Sequence, residues 1–362
     1  MTIARFTPRE MTEGVRNVGD ALANFLTQKF FVRRNLHVAD TIDYGELNGS
    51  ARIATYARAG EPAIPVDHLT GASKTIVAPK IRLKKIFDQN KAETLNPGLP
   101  SYMGPYSDPN AQLLDKILEE QTDLRRKVDR TVEIQAAQAL ATGSVTITYP
   151  DATTATITFG YTGSATGGSQ TLTDTSELNI QQTRTGTNTW GSEKAKPLTD
   201  LQHLVNQIRS NSDYDGPLCV VMGPGAWSLY ANSPNVKGLY DNRNIKAGGL
   251  SLLEQQHFVG NAGALALFQY LIGYDNSAGT RVAGWGTNTI AVLPVDPTAF
   301  SVEFGAVFDY PDPAATHAQF IRTDYFSKFV RKEDPAVTEL IVESNPAVVV
   351  KKPKAIRVMS VT

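Results

Sequence analysis

The stretch that most constrains the fold runs from Asp108 to Thr142, where the chain carries no glycine and only one proline, Pro109. Apolar and small residues recur in it every three or four positions, which is the period of one helix face. Asp108 is suited to cap the start of a helix, Pro109 to its first position and Gly143 to its C-terminal cap. A helix of this length spans roughly 50 Å. The pattern therefore predicts a long, straight helix whose one apolar face packs against the rest of the chain.

A second constraint is the segment from Ser50 to Asp88, which reads as two extended arms joined by a tip at Gly60–Gly71. In the second arm, apolar and basic residues alternate, which is typical of a strand with one wet face. An isolated two-stranded ribbon is only marginally stable in water. We therefore expect the ribbon to lie on something other than its own chain. The candidate contact residues are Tyr56, Lys80, Ile81, Arg82, Leu83 and Lys84.

The basic residues of this arm allow two interpretations. Lys80, Arg82, Lys84 and Lys85 have the charge to contact phosphates. A strand face with so many cations also resists edge-to-edge aggregation, or pairs with acidic residues of a neighbour, and this second interpretation is favoured.

The rest of the chain divides by pattern. Residues 1–49 predict a short helix and an arm, and residues 89–196 hold the long helix and a threonine-rich hairpin insertion at 143–190. Residues 197–309 predict an α/β lobe that contains the buried strand PLCVVM and a strand-to-helix turn at Gly223–Trp227. Residues 310–362 predict long strands, including one uninterrupted strand over 318–330. The fold class is therefore α+β.

Composition excludes several classes of protein. The formal net charge is −1 over 362 residues, so no polyanion partner is demanded. Cys219, the one cysteine, allows no intrachain disulfide and is expected to be a small buried hydrophobe. The first residues lack a secretory pattern, and no apolar run reaches the roughly 18 residues of a membrane span. We expect a soluble protein that is made in a cytoplasm.

No catalytic, cofactor-binding or metal-binding motif stands out. The chain has no GxxxxGK[ST], HExxH, CxxC, EF-hand or GxSxG pattern. Its five histidines are scattered, and Glu119, Glu120 and Asp123 lie beside basic residues, which favours a solvated helix face over a carboxylate pair. The sequence therefore predicts no enzyme, no cofactor and no metal site.

The order of these parts resembles the major capsid proteins of tailed phages, of the lambda-like E type with the HK97-type fold. FLTQKFF resembles the N-terminal arm of that family, and ARIATYARAG with TIVAPKIRLKKIF resembles its extended E-loop. DPNAQLLDKILEEQTDLRRKVDRTVEIQAAQALATG resembles the spine helix of the P-domain. PLCVVMGPGAWSLYANS resembles a strand of the A-domain and the helix that follows it. RKEDPAVTELIVESNPAVVV is similar to the last strands of the P-domain.

This resemblance implies an E-loop at 50–88, a P-domain at 89–196 and 310–362, and an A-domain at 197–309. It further implies a head protein that self-assembles through pentamers and hexamers into an icosahedral shell around double-stranded DNA, without reading its sequence. Scaffold, portal and decoration proteins are the further partners it suggests, and the virion, assembled in the host cytoplasm, is the implied location. Another oligomeric phage structural protein, from a tail or a decoration layer, is the alternative.

Overall fold

The computed structural model describes residues 12, 24–46, 72–87, 109–149, 151, 153–159, 164–167, 181–184, 189–212, 214–240, 257–275, 279–310, 317–332 and 337–362. The helices are α1 (Phe25–Lys29), α2 (Pro109–Thr142), α3 (Pro197–Asn211), α4 (Pro224–Asn232) and α5 (Pro234–Tyr240). A short 3-10 turn covers Pro353–Ala355.

The first ten strands are β1 (Arg33–Leu36), β2 (Thr41–Glu46), β3 (Ala72–Val77), β4 (Ile81–Phe87), β5 (Ser144–Thr148), β6 (Thr154–Thr158), β7 (Ser164–Gly167), β8 (Gln181–Arg184), β9 (Leu218–Met222) and β10 (Phe258–Ala262). The others are β11 (Leu265–Gln269), β12 (Gly273–Asp275), β13 (Arg281–Ala283), β14 (Thr289–Pro294), β15 (Phe300–Phe304), β16 (Val307–Asp309), β17 (Gln319–Ile321), β18 (Phe326–Lys332), β19 (Val337–Ser344), β20 (Pro346–Val350) and β21 (Arg357–Ser360).

Helix α2 confirms the long helix predicted for 108–142. It ends at Thr142, and the next residue, Gly143, has a φ of 70°, which is the left-handed conformation that a C-terminal glycine supplies. Its two halves are supported differently. In the first half one stripe is buried, with Leu124 and Val128 at 2% and 0% exposure, while Leu118 is 53% exposed. In the second half residues 132–137 are all buried. The expectation of one supported face therefore holds only for the first half.

The first half of α2 packs against the three-stranded antiparallel sheet β18-β19-β4. Strand β4 is the second arm of the predicted ribbon, and it pairs along its whole length with β19, from Ile81 opposite Ser344 to Phe87 opposite Thr338. Strand β3, nearer the tip, pairs with β2. The expectation that the ribbon lacks a partner in its own chain is therefore wrong for residues 72–87. Alternation showed which face of the arm is wet, but it carries no information about which distant strand lies beside it.

The second half of α2 is enclosed by the largest apolar cluster. Sheet β1-β15-β20 contributes aromatic and branched residues to it, and α1 contributes Leu26 and the adjoining Phe30 and Phe31. The alanines Ala136, Ala137 and Ala139 are fully buried in this region. Small side chains let neighbouring elements approach the helix closely on several sides, which is why residues 132–137 are buried all round the helix.

The α/β lobe is built on the seven-stranded sheet β10-β11-β9-β14-β21-β8-β7. The predicted buried strand β9 lies inside this sheet between β11 and β14, and every residue of that strand is buried. Pairing in this sheet crosses the boundaries expected from the sequence, because β21 comes from residues 310–362 and pairs with β14. Conversely, β15 lies within residues 197–309 but pairs with β20 and β1.

The uninterrupted strand expected over 318–330 is wrong, because the chain bends between β17 and β18. Strand β17 pairs with β16, whereas β18 pairs with β19. At the bend, the Thr323 hydroxyl donates to the Tyr325 carbonyl at 2.6 Å, and the Ser344 hydroxyl donates to the Asp324 carbonyl at 2.6 Å. These side-chain bonds replace sheet bonds, so the backbone leaves one ribbon and joins another sheet.

The threonine-rich segment contains the predicted hairpin. Strands β5 and β6 pair in antiparallel fashion from Ser144 opposite Thr158 to Thr148 opposite Thr154. Asp151 lies in the connecting turn, where its carboxylate accepts a hydrogen bond from the Thr153 amide at 3.1 Å. The Val145 side chain is 2% exposed and joins the large apolar cluster, so one face of the hairpin anchors it beside the end of α2.

Candidate assembly interface

Five of the six predicted contact residues lie on or beside strand β4, and the sixth, Tyr56, lies outside the described residues. Their side chains divide between the two faces of the sheet as the alternation predicted. Ile81 and Leu83 point toward α2, while Arg82 and Lys84 lie on the opposite face. Lys80 immediately precedes the strand and is exposed.

The basic face of β4 pairs with acidic residues of the adjacent strand in the same chain. Arg82 lies directly opposite Glu343, with 3.3 Å between Nε and Oε2. The Lys84 ammonium is 3.4 Å from Oε1 of Glu339, and Lys332 of β18 lies 2.9 Å from the same oxygen. The cations thus lie over carboxylates of their own subunit, whereas the favoured interpretation had allowed for the acidic residues of a neighbour.

Exposure separates the two signs of charge on this face. The side chains of Arg82 and Lys84 are 56% and 55% exposed, whereas those of Glu343 and Glu339 are 8% exposed. Burial raises the pKa of Glu343, against the opposing effect of Arg82. The hydrogen bond from Lys332 holds the pKa of Glu339 below its ordinary value. The outermost layer of this face is therefore cationic, above a layer of carboxylates.

The opposite face of β4 anchors the strand to α2. Leu83 and Phe87 pack with Leu124 of the helix and Leu340 of β19. Lys85 extends across the edge of this contact and lies 2.7 Å from Glu120 and 3.3 Å from Asp123. The hydrogen bond to Glu120 raises the pKa of Lys85. Glu120 and Asp123 thus form ion pairs with Lys85, and Asp123 is also 2.8 Å from Lys127 of the same helix.

Strand β4 is an edge strand: among the described residues, no other strand pairs with its second edge. An edge presents unpaired backbone N–H and C=O groups to any chain that can pair with them. Together with the exposed cations, this edge is the part of the described ribbon residues, 72–87, that remains available to a neighbouring molecule.

One buried charged residue that joins three parts of the fold was missed by the sequence analysis. Glu133, on α2, is 0% exposed, and its carboxylate accepts hydrogen bonds from the Leu26 amide at 2.9 Å, the Thr27 amide at 3.0 Å and the Thr27 hydroxyl at 2.9 Å. The Tyr270 hydroxyl of the α/β lobe donates to the same group at 3.3 Å. A carboxylate within the run VEIQAAQALA was the available signal, because charged residues are seldom fully buried unless they are paired.

The metal-ligating and thiol side chains of the described residues are the remaining groups that could form a chemical site. None of their histidine, cysteine and carboxylate side chains form a group of three or more that is placed to hold a metal ion. Cys219 is buried as predicted, and burial raises the pKa of its thiol to about 12. In the part of the chain that the structure describes, no helix is long and apolar enough to cross a membrane.

Comparison with known proteins identifies the fold. The model of the family described as phage major capsid protein E matches residues 7–361. A putative prophage capsid protein of E. coli CFT073 is similar in structure, with 15% identity, 99% of each chain covered and a TM-score of 0.64. A phage-related protein from Bordetella bronchiseptica RB50 shares 11% identity over 99% of this chain and 98% of its own, with a TM-score of 0.52.

The capsid of a native GTA particle is also similar, with 11% identity over 94% of this chain and 90% of its own, and a TM-score of 0.51. No curated protein matches the chain. These structural likenesses confirm the HK97-type α+β fold that the sequence predicted.

Proposed function

The chain belongs to the phage major capsid protein E family, and from this premise we propose that it assembles through pentamers and hexamers into the icosahedral shell that encloses the phage double-stranded DNA. The observation that supports this most directly is the extent of the family match, which runs from residue 7 to residue 361. The match is to the head protein, so the tail or decoration alternative loses its support. The family is one of structural proteins, and we propose no catalytic role.

We place the clamp between subunits in the segment that joins β2 to β3, residues 47–71. Its two ends are held side by side, since Glu46 lies opposite Ala72 in the β2–β3 pair. A segment of this length that leaves and returns at one point can extend to an adjacent subunit without disturbing its own. Tyr56 lies within it. Donation of an extended segment to a neighbour is a recurring way of joining protein chains.

The cationic face beside strand β4 is the second part of the proposed contact. Lys80, Arg82 and Lys84 are exposed and contact the neighbouring subunit, while Ile81 and Leu83 act indirectly by holding the strand against α2. Such contacts are heterologous, so they close into rings when the rotation between subunits allows it.

The proposed relation to DNA is enclosure. A strongly basic lining would bind the phosphate backbone tightly and in a salt-dependent way. The formal net charge of −1 suits a shell that holds DNA without gripping it or reading its sequence. Scaffold, portal and decoration proteins are the further partners proposed, with assembly in the host cytoplasm.

The proposal is tested by deleting residues 60–71 and comparing the product with the wild-type chain. Negative-stain electron microscopy and sedimentation velocity are applied to both, and circular dichroism checks that the subunit folds. We expect hollow shells or six-fold rings from the wild type, and a folded but unassembled subunit from the deletion. Replacement of the same twelve residues by a glycine–serine linker of equal length is the matched control, and it too should fail to assemble.

Normal shells from the deletion would disprove the clamp. A wild-type chain that stays monomeric at all salt concentrations, even with phage scaffold and portal added, would contradict the capsid function itself.

A further inference from the structure

The ribbon of strands β16 and β17 has two faces of opposite character. Val307 lies opposite Ile321 and Phe308 lies opposite Phe320. On the inner face, Val307 is 0% exposed and Asp309 is 7% exposed. Asp309 accepts a hydrogen bond from Lys328 of β18 at 2.6 Å. The inner face therefore holds the ribbon to the body of its own subunit.

The outer face carries an exposed aromatic pair. Phe308 and Phe320 are 53% and 51% exposed, and their ring centroids are 5.1 Å apart. Tyr310, which follows β16, is 50% exposed. Three half-exposed aromatic side chains present on the order of 300 Å² of surface, since each buries about 150–250 Å² when it is enclosed. A contiguous apolar patch of a few hundred Å² commonly marks an interaction site.

The ribbon is also fixed in direction, because its polar groups bind within its own subunit. Beyond β17, the Arg322 guanidinium Nε donates to the carbonyl of Leu36 at 2.9 Å and so ties the ribbon to the end of β1. With Asp309 bound on the inner face, the ribbon presents its aromatic face outward as a preformed surface. Aromatic residues, including Phe and Tyr, are enriched in the buried cores of protein interfaces relative to the rest of the surface.

We propose that the outer face of the β16–β17 ribbon, formed by Phe308, Tyr310 and Phe320, is a contact between two copies of this chain in the assembled shell. This inference rests on the proposed function. It adds a contact that is separate from the segment 47–71 and from strand β4.

The size of the patch favours a second copy over a free partner protein. A stable complex of two proteins buries about 800 Å² on each partner, which is more than twice what this patch offers. A shell subunit is held instead by several small contacts that symmetry repeats around every axis, so each contact adds to the others without having to hold the complex alone. An aromatic patch of this size is sufficient in that setting.

The test uses the full-length chain with Phe308→Ser and Phe320→Ser combined, and Gln319→Ser as the matched control. Gln319 is exposed in the same strand as Phe320, so its replacement perturbs the ribbon without removing an aromatic ring. Sedimentation velocity and electron microscopy measure the fraction of protein in shells, and thermal unfolding measures the stability of the subunit. We expect the double variant to lower the shell fraction at least tenfold with an unchanged melting temperature, while the control assembles as the wild type does.

Shells from the double variant in wild-type yield would overturn the inference. A fall in melting temperature that accounts for the loss of shells would overturn it too, because the aromatic residues would then be covered by the subunit's own chain. A photoreactive phenylalanine analogue at position 308 provides the second readout. A cross-linked product of twice the subunit mass in assembled particles supports the contact, and cross-links confined to one chain contradict it.

The two proposals fail in different ways. Wild-type shells together with normal assembly of the double variant reject only the ribbon contact. A wild-type chain that forms no shells rejects the capsid function, and the ribbon contact falls with it.

Discussion

Replacement of Glu133 by glutamine should destabilise the subunit more than its single-atom change in shape suggests. The carboxylate serves as the cap for α1, whose first N–H groups have no partner within the helix and whose N-cap residue Asn24 makes no side-chain capping bond. Instead, the carboxylate of Glu133, more than 100 residues away in the sequence, accepts hydrogen bonds from the backbone amides of Leu26 and Thr27. It therefore fixes the N-terminal arm to the spine helix.

The magnitude follows from the hydrogen bonds. In the glutamine variant one carbonyl oxygen remains to accept hydrogen bonds, while the new NH₂ group faces protein donors. Each carboxylate oxygen accepts from one backbone amide and one hydroxyl. The bond from the amide that faces the NH₂ group is therefore lost, while the hydroxyl can turn and accept from that group. Hydrogen bonds to charged groups contribute about 1.5–3 kcal/mol each and neutral ones about 0.5–1.5 kcal/mol. The loss of one bond and the weakening of the other three should therefore lower the free energy of unfolding by about 3 kcal/mol or more.

Urea unfolding of the soluble subunit, followed by tryptophan fluorescence, measures this loss. With a denaturant slope near 3 kcal/mol/M, the midpoint should fall by about 1 M. Glu119→Gln, on an exposed site of the same helix, is the matched control and should stay within about 0.5 kcal/mol of the wild type. Thr27→Val should cost less in the Glu133→Gln background than alone, because the Thr27 hydroxyl then bonds to an uncharged amide group and has less stabilisation to lose. A Glu133→Gln midpoint equal to that of the wild type would refute the assignment.

Two further predictions concern the turn after β9 and a buried carboxylate. Gly223→Ala should lower the free energy of unfolding by about 2 kcal/mol, because the added Cβ would lie 2.2 Å from the Gly286 carbonyl oxygen. Gly238→Ala is the control, since an added Cβ there meets nothing within 4 Å. In urea unfolding this control should be as stable as the wild type or more stable. Burial alone would raise the pKa of Glu303, but hydrogen bonds hold this pKa below its ordinary value of 4.5. The ionised carboxylate therefore stabilises the folded subunit above pH 4.5, and this stabilisation is lost as the pH falls through the native pKa. Urea midpoints should therefore fall less steeply in Glu303→Gln than in the wild type below pH 4.5, and identical profiles would contradict this. The hydrogen bonds to Glu303 come from Ser301, His37, Asn35 and Lys351.

The features that could be predicted from the sequence are those with a local period. Helix α2 was predicted within one residue at its start, because 34 consecutive residues keep one spacing between a proline and a glycine. The β5–β6 hairpin and the buried strand β9 were predicted for the same reason, from alternation and from an unbroken apolar run. The two faces of β4 were also readable, since side chains alternate across a strand whatever lies beside it.

The candidate interface was only partly readable. The sequence indicated that Lys80, Arg82 and Lys84 share a wet face, but it did not identify the carboxylates of Glu339 and Glu343 as their partners. Those acidic residues lie some 250 positions away, and no local pattern connects the two segments. The sequence likewise did not predict the aromatic pair on the β16–β17 ribbon. It indicated one strand over 318–330, whereas the chain bends there and separates β17 from β18.

What the sequence determined by itself is therefore the kind of element at each position and which side of it is apolar, because backbone dihedrals and side-chain spacing act within a few residues. Only the tertiary structure decided that β4 belongs to the sheet of β19, that β21 joins the sheet of β9, and that Glu133 caps α1. These choices depend on which of several similar apolar faces and unpaired backbone groups meet in space. That competition is settled by the packing of the whole chain at once.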